Sequence, residues 1–230
     1  VNNEIGTIEP IKELATIAHL YGVAFHTDAV QAVGHIPINV KELDVDMLSA
    51  SAHKFNGMKG TGFLYVKKGI DLYPFLDGGA QEHSKRAGTE NVAGIVAMAT
   101  ALKKNCQQME LTTKKLHEIE NAFIQQLTKN KVDFIRNGAK GHLPGNVSIS
   151  IKDASGEMLL HRLDLKGICV STGSACDSAN TKISHVIKAI KVPREYAEGT
   201  IRVSFGVNNT EEEAVEIAKA LVEIICRKEL

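Results

Sequence analysis

Three observations predict an α/β protein. Helical and strand-like segments alternate with short loops through the first hundred residues. One long helical pattern follows, from Asn91 to about Asn130. Beyond it, short β-branched runs again alternate with helices. The composition of the 230 residues agrees, with 43% hydrophobic and 23% charged, as in ordinary globular chains.

The elements follow in order. In "EPIKELATIAHLYG", Ile11, Leu14, Ile17, Ala18 and Leu20 keep a helical period, with Pro10 in the first turn and Gly22 as the stop. "VAFHTDA" reads as a short buried strand and "VQAVGHIPINVKELD" as a brief helix or turn with a connector. "VDMLSASAHK" reads as a strand ending at Lys54, "FNGMKGTG" as a glycine-rich turn and "FLYVKKG" as the return strand. The long helix carries a candidate break near Leu111. "VDFIRNG" and "GNVSISIKD" read as strands. "SGEMLLHRLDLKG" is a helix stopped by Gly167, leading into strand "ICVST". "KISHVIKAIKV" is a helix, "GTIRVSFG" a strand, and the terminal helix opens on a capping box, Thr210 with Glu213. The chain divides near residue 100, into a partial α/β domain over 1–100 and a compact α+β domain over 101–230.

Equal numbers of acidic and basic residues, 27 each, leave no basic face for nucleic acid. No apolar run approaches the roughly 20 residues that span a bilayer. Four cysteines without a CxxC pair argue against a disulfide framework and for a reducing cytoplasm. Cys169 and Cys226 read as core positions. His161, Cys169, Cys176 and His185 are spaced too widely for a zinc site, so no metal is expected. The opening "VNNEIGTIEP" lacks Met, and Val1 reads as a strand end. An N-terminal portion is therefore expected to precede the given residues.

Asp28 stands at the carboxyl end of a predicted strand, where α/β sheets bind ligands, although an Asp there also suits a helix cap. Lys54 ends the next strand within "SASAHKFNG". A lone lysine there is ordinarily a solvated surface charge. Together with Asp28, Ser51 and His53 it fits a pyridoxal phosphate site, which needs a lysine for a Schiff base and an acid beside the pyridine nitrogen. Cys176, in "VSTGSACDSAN", sits among Ser, Thr, Gly, Ala and Asp rather than the apolar neighbours of a buried thiol.

The blocks "VNNEIG", "HTDAVQAVGHIPINV", "SASAHKFNGMKGTGFLYVKKG", "GGAQEHSKRAGTEN", "STGSACDSA" and "IRVSFGVNNTEEE" resemble cysteine desulfurases of the NifS/IscS class, in that family's order and over essentially the whole chain. The resemblance implies the second part of a fold-type-I pyridoxal phosphate domain plus a smaller C-terminal domain. It implies that Lys54 carries the cofactor, Asp28 pairs with the pyridinium nitrogen and Gln31 bonds the ring's phenolic oxygen. Ser51 and His53 would bind the phosphate, and Thr89 would reach the phosphate in the other subunit of a homodimer. Asn3 would contact cofactor and substrate carboxylate, Arg202 would clamp that carboxylate, and Cys176 would be the nucleophile that becomes a persulfide while L-cysteine becomes L-alanine. The sulfur acceptor would be an iron–sulfur scaffold or a tRNA-thiolation enzyme. Residue by residue, alternatives stand open: Arg202 as a structural strand arginine, Thr89 as a helix cap, Asn3 as a loop residue. For the whole chain they are another fold-type-I lyase or aminotransferase, such as a selenocysteine lyase, or a binding module without activity.

Overall fold

A computed structural model describes residues 1–173 and 183–226; Cys176 lies outside the described residues. The chain forms two compact units, Glu9–Met109 and Val1–Ile8 with Glu110–Leu230.

In the unit Glu9–Met109, α1 (Ile11–Leu20) starts after Pro10, and Gly22 follows its end at φ +67. Ala15 is its buried residue, while Leu14, Ile17 and Leu20 of the predicted stripe stay exposed. β1 (His26–Asp28) leads through α2 (Val40–Leu43) to β2 (Met47–Ser51), which lies parallel to β1 with Asp28 opposite Ser49. β3 (Gly62–Val66) returns antiparallel to β2. Buried Asp46 holds the entry to the sheet: it accepts the Phe25 N–H at 2.8 Å and pairs with His19 Nε2 at 2.8 Å. Lys67 Nζ donates to neighbouring Asp44 at 2.7 Å.

The strand expected to run to Lys54 stops at Ser51. Ala52–Phe55 is a 3₁₀ turn, because Ala52 and Phe55, three apart, are both fully buried while His53 and Lys54 between them face solvent. A glycine is required nearby: Gly34 has φ +80, and a Cβ there would stand 2.8 Å from the Cβ of Phe55. The single turn α3 (Gln81–Ser84) has left-handed dihedrals at Glu82, His83 and Ser84. α4 (Val92–Lys129) then runs unbroken through Leu111, since neither Gly nor Pro occurs between Gly94 and its end. Its first half belongs to this unit and the remainder, from Glu110, to the other.

The second unit is built on an antiparallel sheet of β4 (Phe134–Arg136), β5 (Asn146–Ile151) and β6 (Thr200–Ser204), with β5 central. Val147, Ile149, Ile151, Ile201 and Val203 alternate onto one face. There they pack against Ile119, Phe123 and Leu127 of α4, Leu159 and Leu163 of α5 (Gly156–Asp164), and Ala218, Leu221 and Ile224 of α8 (Glu211–Cys226). The intervening Ser148, Ser150 and Arg202 face the other way. Asn137 bonds both serines, and Ile5 packs with Ile187 of α6 (His185–Ala189) and Ala197 of α7 (Arg194–Ala197). Segment "ICVST" forms no strand, only a bridge from Ser171 to Arg202. Ile168 and Val170 turn toward the core, so Cys169 between them is exposed. Cys226, at the end of α8, is exposed too, against the expectation of core positions for both. The expected capping box forms at the start of α8: Thr210 Oγ1 accepts the Glu213 N–H, and Glu213 Oε2 accepts the Thr210 N–H.

Candidate active site

The sequence-predicted residues fall in both units. In Glu9–Met109 the parallel pairing of β1 and β2 aligns Asp28 with Ser49, and alternation places His26, Asp28, Ser49 and Ser51 on one face. Asp28 Oδ1 accepts the Val30 N–H at 2.9 Å, turning the chain out of the strand, and Oδ2 has no hydrogen bond among the described residues. Ser51 Oγ and His53 Nδ1 share a hydrogen bond of 2.8 Å. The Lys54 side chain is exposed and its amine has no bonded partner among the described residues. Gln31 is half-buried in the turn after β1, and Thr89 is exposed ahead of α4. Neither bonds to the Asp28–Lys54 group. The helix cap proposed for Thr89 belongs instead to Asn91, whose Oδ1 accepts the Gly94 N–H at 3.1 Å.

Two supports escaped the sequence reading. His35 Nε2 donates to the Lys54 carbonyl at 2.7 Å, and Asn105 Nδ2 to the Phe55 carbonyl at 2.8 Å. Together they hold the 3₁₀ turn and fix where Lys54 leaves the backbone. His26 Nε2 also meets Ser49 Oγ at 3.1 Å, adding an imidazole to the Asp28 face. A 3.6 or 2.0 period carries no signal for such contacts; the nearest clue was histidine density around the two strand ends.

In the other unit Asn3 and Arg202 are brought together, though not by the asparagine side chain. Arg202 Nη1 donates to the Asn3 carbonyl at 2.8 Å, and Asn146 Nδ2 reaches the same oxygen at 3.3 Å. Arg202 Nε is buried and has no hydrogen-bond partner among the described residues. Burial pulls this guanidinium below its ordinary pKa, and the Glu4 carboxylate works against that shift. A desolvated guanidinium with an unused N–H is a binding group for a planar anion such as a carboxylate.

The same unit holds His117, Glu120 and His142, with ligand atoms within 4.8 Å of one another. Arg136 Nη2 already donates to Glu120 Oε2 at 3.1 Å, and the Gly145 N–H to Oε1 at 2.6 Å. The guanidinium is thus the cation that compensates this buried carboxylate.

The sequence profile of the family described as Aminotransferase class-V matches residues 1–217. The chain belongs to the class-V aminotransferase family. Within it, "Cysteine desulfurase IscS" of Dictyoglomus turgidum is 51% identical over 213 residues, covering 92% of this chain and 54% of that protein. A solved "NifS-like protein" superposes with a TM-score of 0.88 at 35% identity, over 98% of this chain and 59% of the other. A structure titled "SspA in complex with cysteine" gives 0.71 at 29% identity, over 90% and 57%. The chain thus spans about half the length of the curated class-V relatives it matches. The expectation of an α/β chain with fold-type-I architecture is met. No helix of the described class-V chain is long and apolar enough to cross a membrane.

Proposed function

We propose that the protein is a pyridoxal phosphate-dependent cysteine desulfurase that converts L-cysteine to L-alanine and takes the sulfur as a persulfide on Cys176. One observation carries this reading. Asp28 ends β1, Ser51 ends the adjacent parallel strand β2, and His53 and the exposed Lys54 follow in the next turn, in a chain whose relatives are curated as cysteine desulfurases.

The donor set fits the cofactor. Among the described residues the Lys54 amine and one Asp28 carboxylate oxygen have no hydrogen-bond partner, and Ser51 and His53 offer an O–H and N–H to a phosphate. When bound, the cofactor supplies an aldehyde and an electron-accepting ring. Asp28 would hold the ring nitrogen protonated and Gln31 the phenolic oxygen. Lys54 would anchor the cofactor and accept the substrate's α-proton. Arg202, steadied on the Asn3 carbonyl, would orient the substrate carboxylate. The Cys176 thiolate takes the sulfur: one S–S bond forms, the substrate's C–S bond breaks, and its carbon gains the proton that completes alanine. The change is redox-neutral and needs no external oxidant.

A homodimer in which Thr89 completes the partner's phosphate site belongs to the same reading. So do a cytoplasmic location, where a lone thiol stays reduced, and delivery to an iron–sulfur scaffold or tRNA-thiolation enzyme. The full-length, cofactor-loaded protein is incubated with L-cysteine and a thiol reductant, and alanine and sulfide are measured. Alanine no higher than in Lys54→Ala would reject the reading. Cys176→Ser should keep the yellow colour and lose sulfur transfer; normal sulfide release by that variant would remove Cys176 from its role.

A further inference from the structure

β5 opens on Asn146, and the antiparallel register sets it diagonal to Arg202, which stands opposite Ser148. Both side chains reach one atom. The Asn3 carbonyl accepts from Arg202 Nη1 at 2.8 Å and from Asn146 Nδ2 at 3.3 Å. A carbonyl accepts only from the NH2 end of an amide, so this contact also orients Asn146. Asn146 lies directly against the loop that carries Asn3: a Cβ on Gly6 would stand 3.3 Å from its Cβ. The loop itself is tied down. Asn2 Oδ1 accepts the Glu4 and Ile5 N–H groups at 2.9 and 3.1 Å, and Glu4 Oε2 accepts the Ser184 hydroxyl at 2.5 Å. Among the described residues, Asn146 Oδ1 and Arg202 Nε are both buried without a hydrogen-bond partner. With Nη1 spent on a fixed carbonyl, the Arg202 Nε–H and Nη2–H form the edge that matches two carboxylate oxygens.

We propose that Asn146 is a positioning residue of the carboxylate site: it fixes the Asn3 carbonyl that steadies Arg202, and so keeps the Nε edge of the guanidinium for the substrate. The inference rests on the reading of Arg202 as the substrate clamp. An arginine has several rotatable bonds, and holding it in one geometry before substrate arrives removes that ordering cost from binding. The neutral amide suits the place because it donates without bringing a charge. A carboxylate in its position would repel the Asn3 carbonyl oxygen and draw the guanidinium to itself.

Ligand preference separates this role from a structural one. L-Alaninamide keeps the amine and side chain of L-alanine and lacks the negative charge. Binding of both to the full-length, cofactor-loaded protein is measured by isothermal titration calorimetry. Wild type should prefer L-alanine. Asn146→Ala removes the donor and should weaken L-alanine about fivefold, with less than about twofold change for L-alaninamide. Asn146→Asp keeps the shape but places a charge beside Arg202. L-Alanine should then weaken about fiftyfold, and its preference over L-alaninamide should shrink by about tenfold or more. A merely structural Asn146 would change both ligands together. Asn146→Ala that binds L-alanine as tightly as wild type, or loses both ligands equally, overturns the inference, and so does Asn146→Asp with the wild-type preference. Either variant suffices if the other does not fold. Wild type without a preference for L-alanine overturns the Arg202 clamp and this inference with it. Wild type with that preference, unchanged in the variants, overturns the inference alone.

Discussion

Removing Arg136 should destabilise the protein more than removing the charge of Glu120, its partner, and the reason lies in unequal burial. The Glu120 side chain is 2% exposed and that of Arg136 31%. Arg136→Ala leaves an almost fully buried carboxylate with the Gly145 N–H and the His142 ring but no full compensating charge. Breaking a buried pair from one side typically costs about 3–5 kcal/mol; the partial exposure of Arg136 places this case near the lower end, at roughly 3 kcal/mol. Glu120→Gln retains an oxygen for the Gly145 N–H and strands only a guanidinium that can turn to water, at about 1–2 kcal/mol. The double variant has no buried charge and should be more stable than Arg136→Ala alone, a coupling whose sign does not depend on either absolute value. Urea unfolding of the three variants, followed by far-ultraviolet circular dichroism, measures all of this. Glu120→Gln costing as much as Arg136→Ala, or a double variant less stable than both singles, would refute the reasoning.

Two further outcomes are expected. His19 is held above its ordinary pKa of 6.5, chiefly by its hydrogen bond to Asp46. Asp46 is held below 3.8, chiefly by the Phe25 N–H and then by His19. The His19 contribution to stability is complete below pH 6.5 and fades as pH climbs through its raised value, whereas that of Asp46 is complete above 3.8 and fades as acid protonates it. His19→Gln should therefore flatten the fall in melting temperature on the alkaline side of pH 6.5, and an unchanged slope would count against the pairing. His35→Ala removes the donor to the Lys54 carbonyl and should cost about 1 kcal/mol. It should also loosen cofactor retention, read as loss of yellow colour through gel filtration; full retention would show that the 3₁₀ turn does not depend on His35.

What could be read from the sequence was whatever depends on neighbours along the chain. The segments "GNVSISIKD" and "GTIRVSFG" announced β5 and β6 as strands. The absence of Gly and Pro past Gly94 allowed the long helix, and Asp28 before a turn announced a strand end. The residues that carry the candidate chemistry were legible for the same reason, since Asp28, Ser51, His53 and Lys54 come in short blocks whose order survives without coordinates.

Tertiary structure alone decided how those blocks are supported. Lys54 sits on a 3₁₀ turn, not a strand end, because Ala52 and Phe55 bury together, and the donors to the Lys54 and Phe55 carbonyls, His35 and Asn105, lie 19 and 50 positions away. Cys169 and Cys226 are exposed because the core was already filled by Ile168, Val170 and the inward face of α8. The contact of Arg202 with Asn3 and the tether of Glu4 to Ser184 join residues 199 and 180 positions apart. Local propensity is set by a few adjacent side chains and can be read in one dimension. A buried charge must find its partner wherever folding brings one, and that is settled only when the sheet closes.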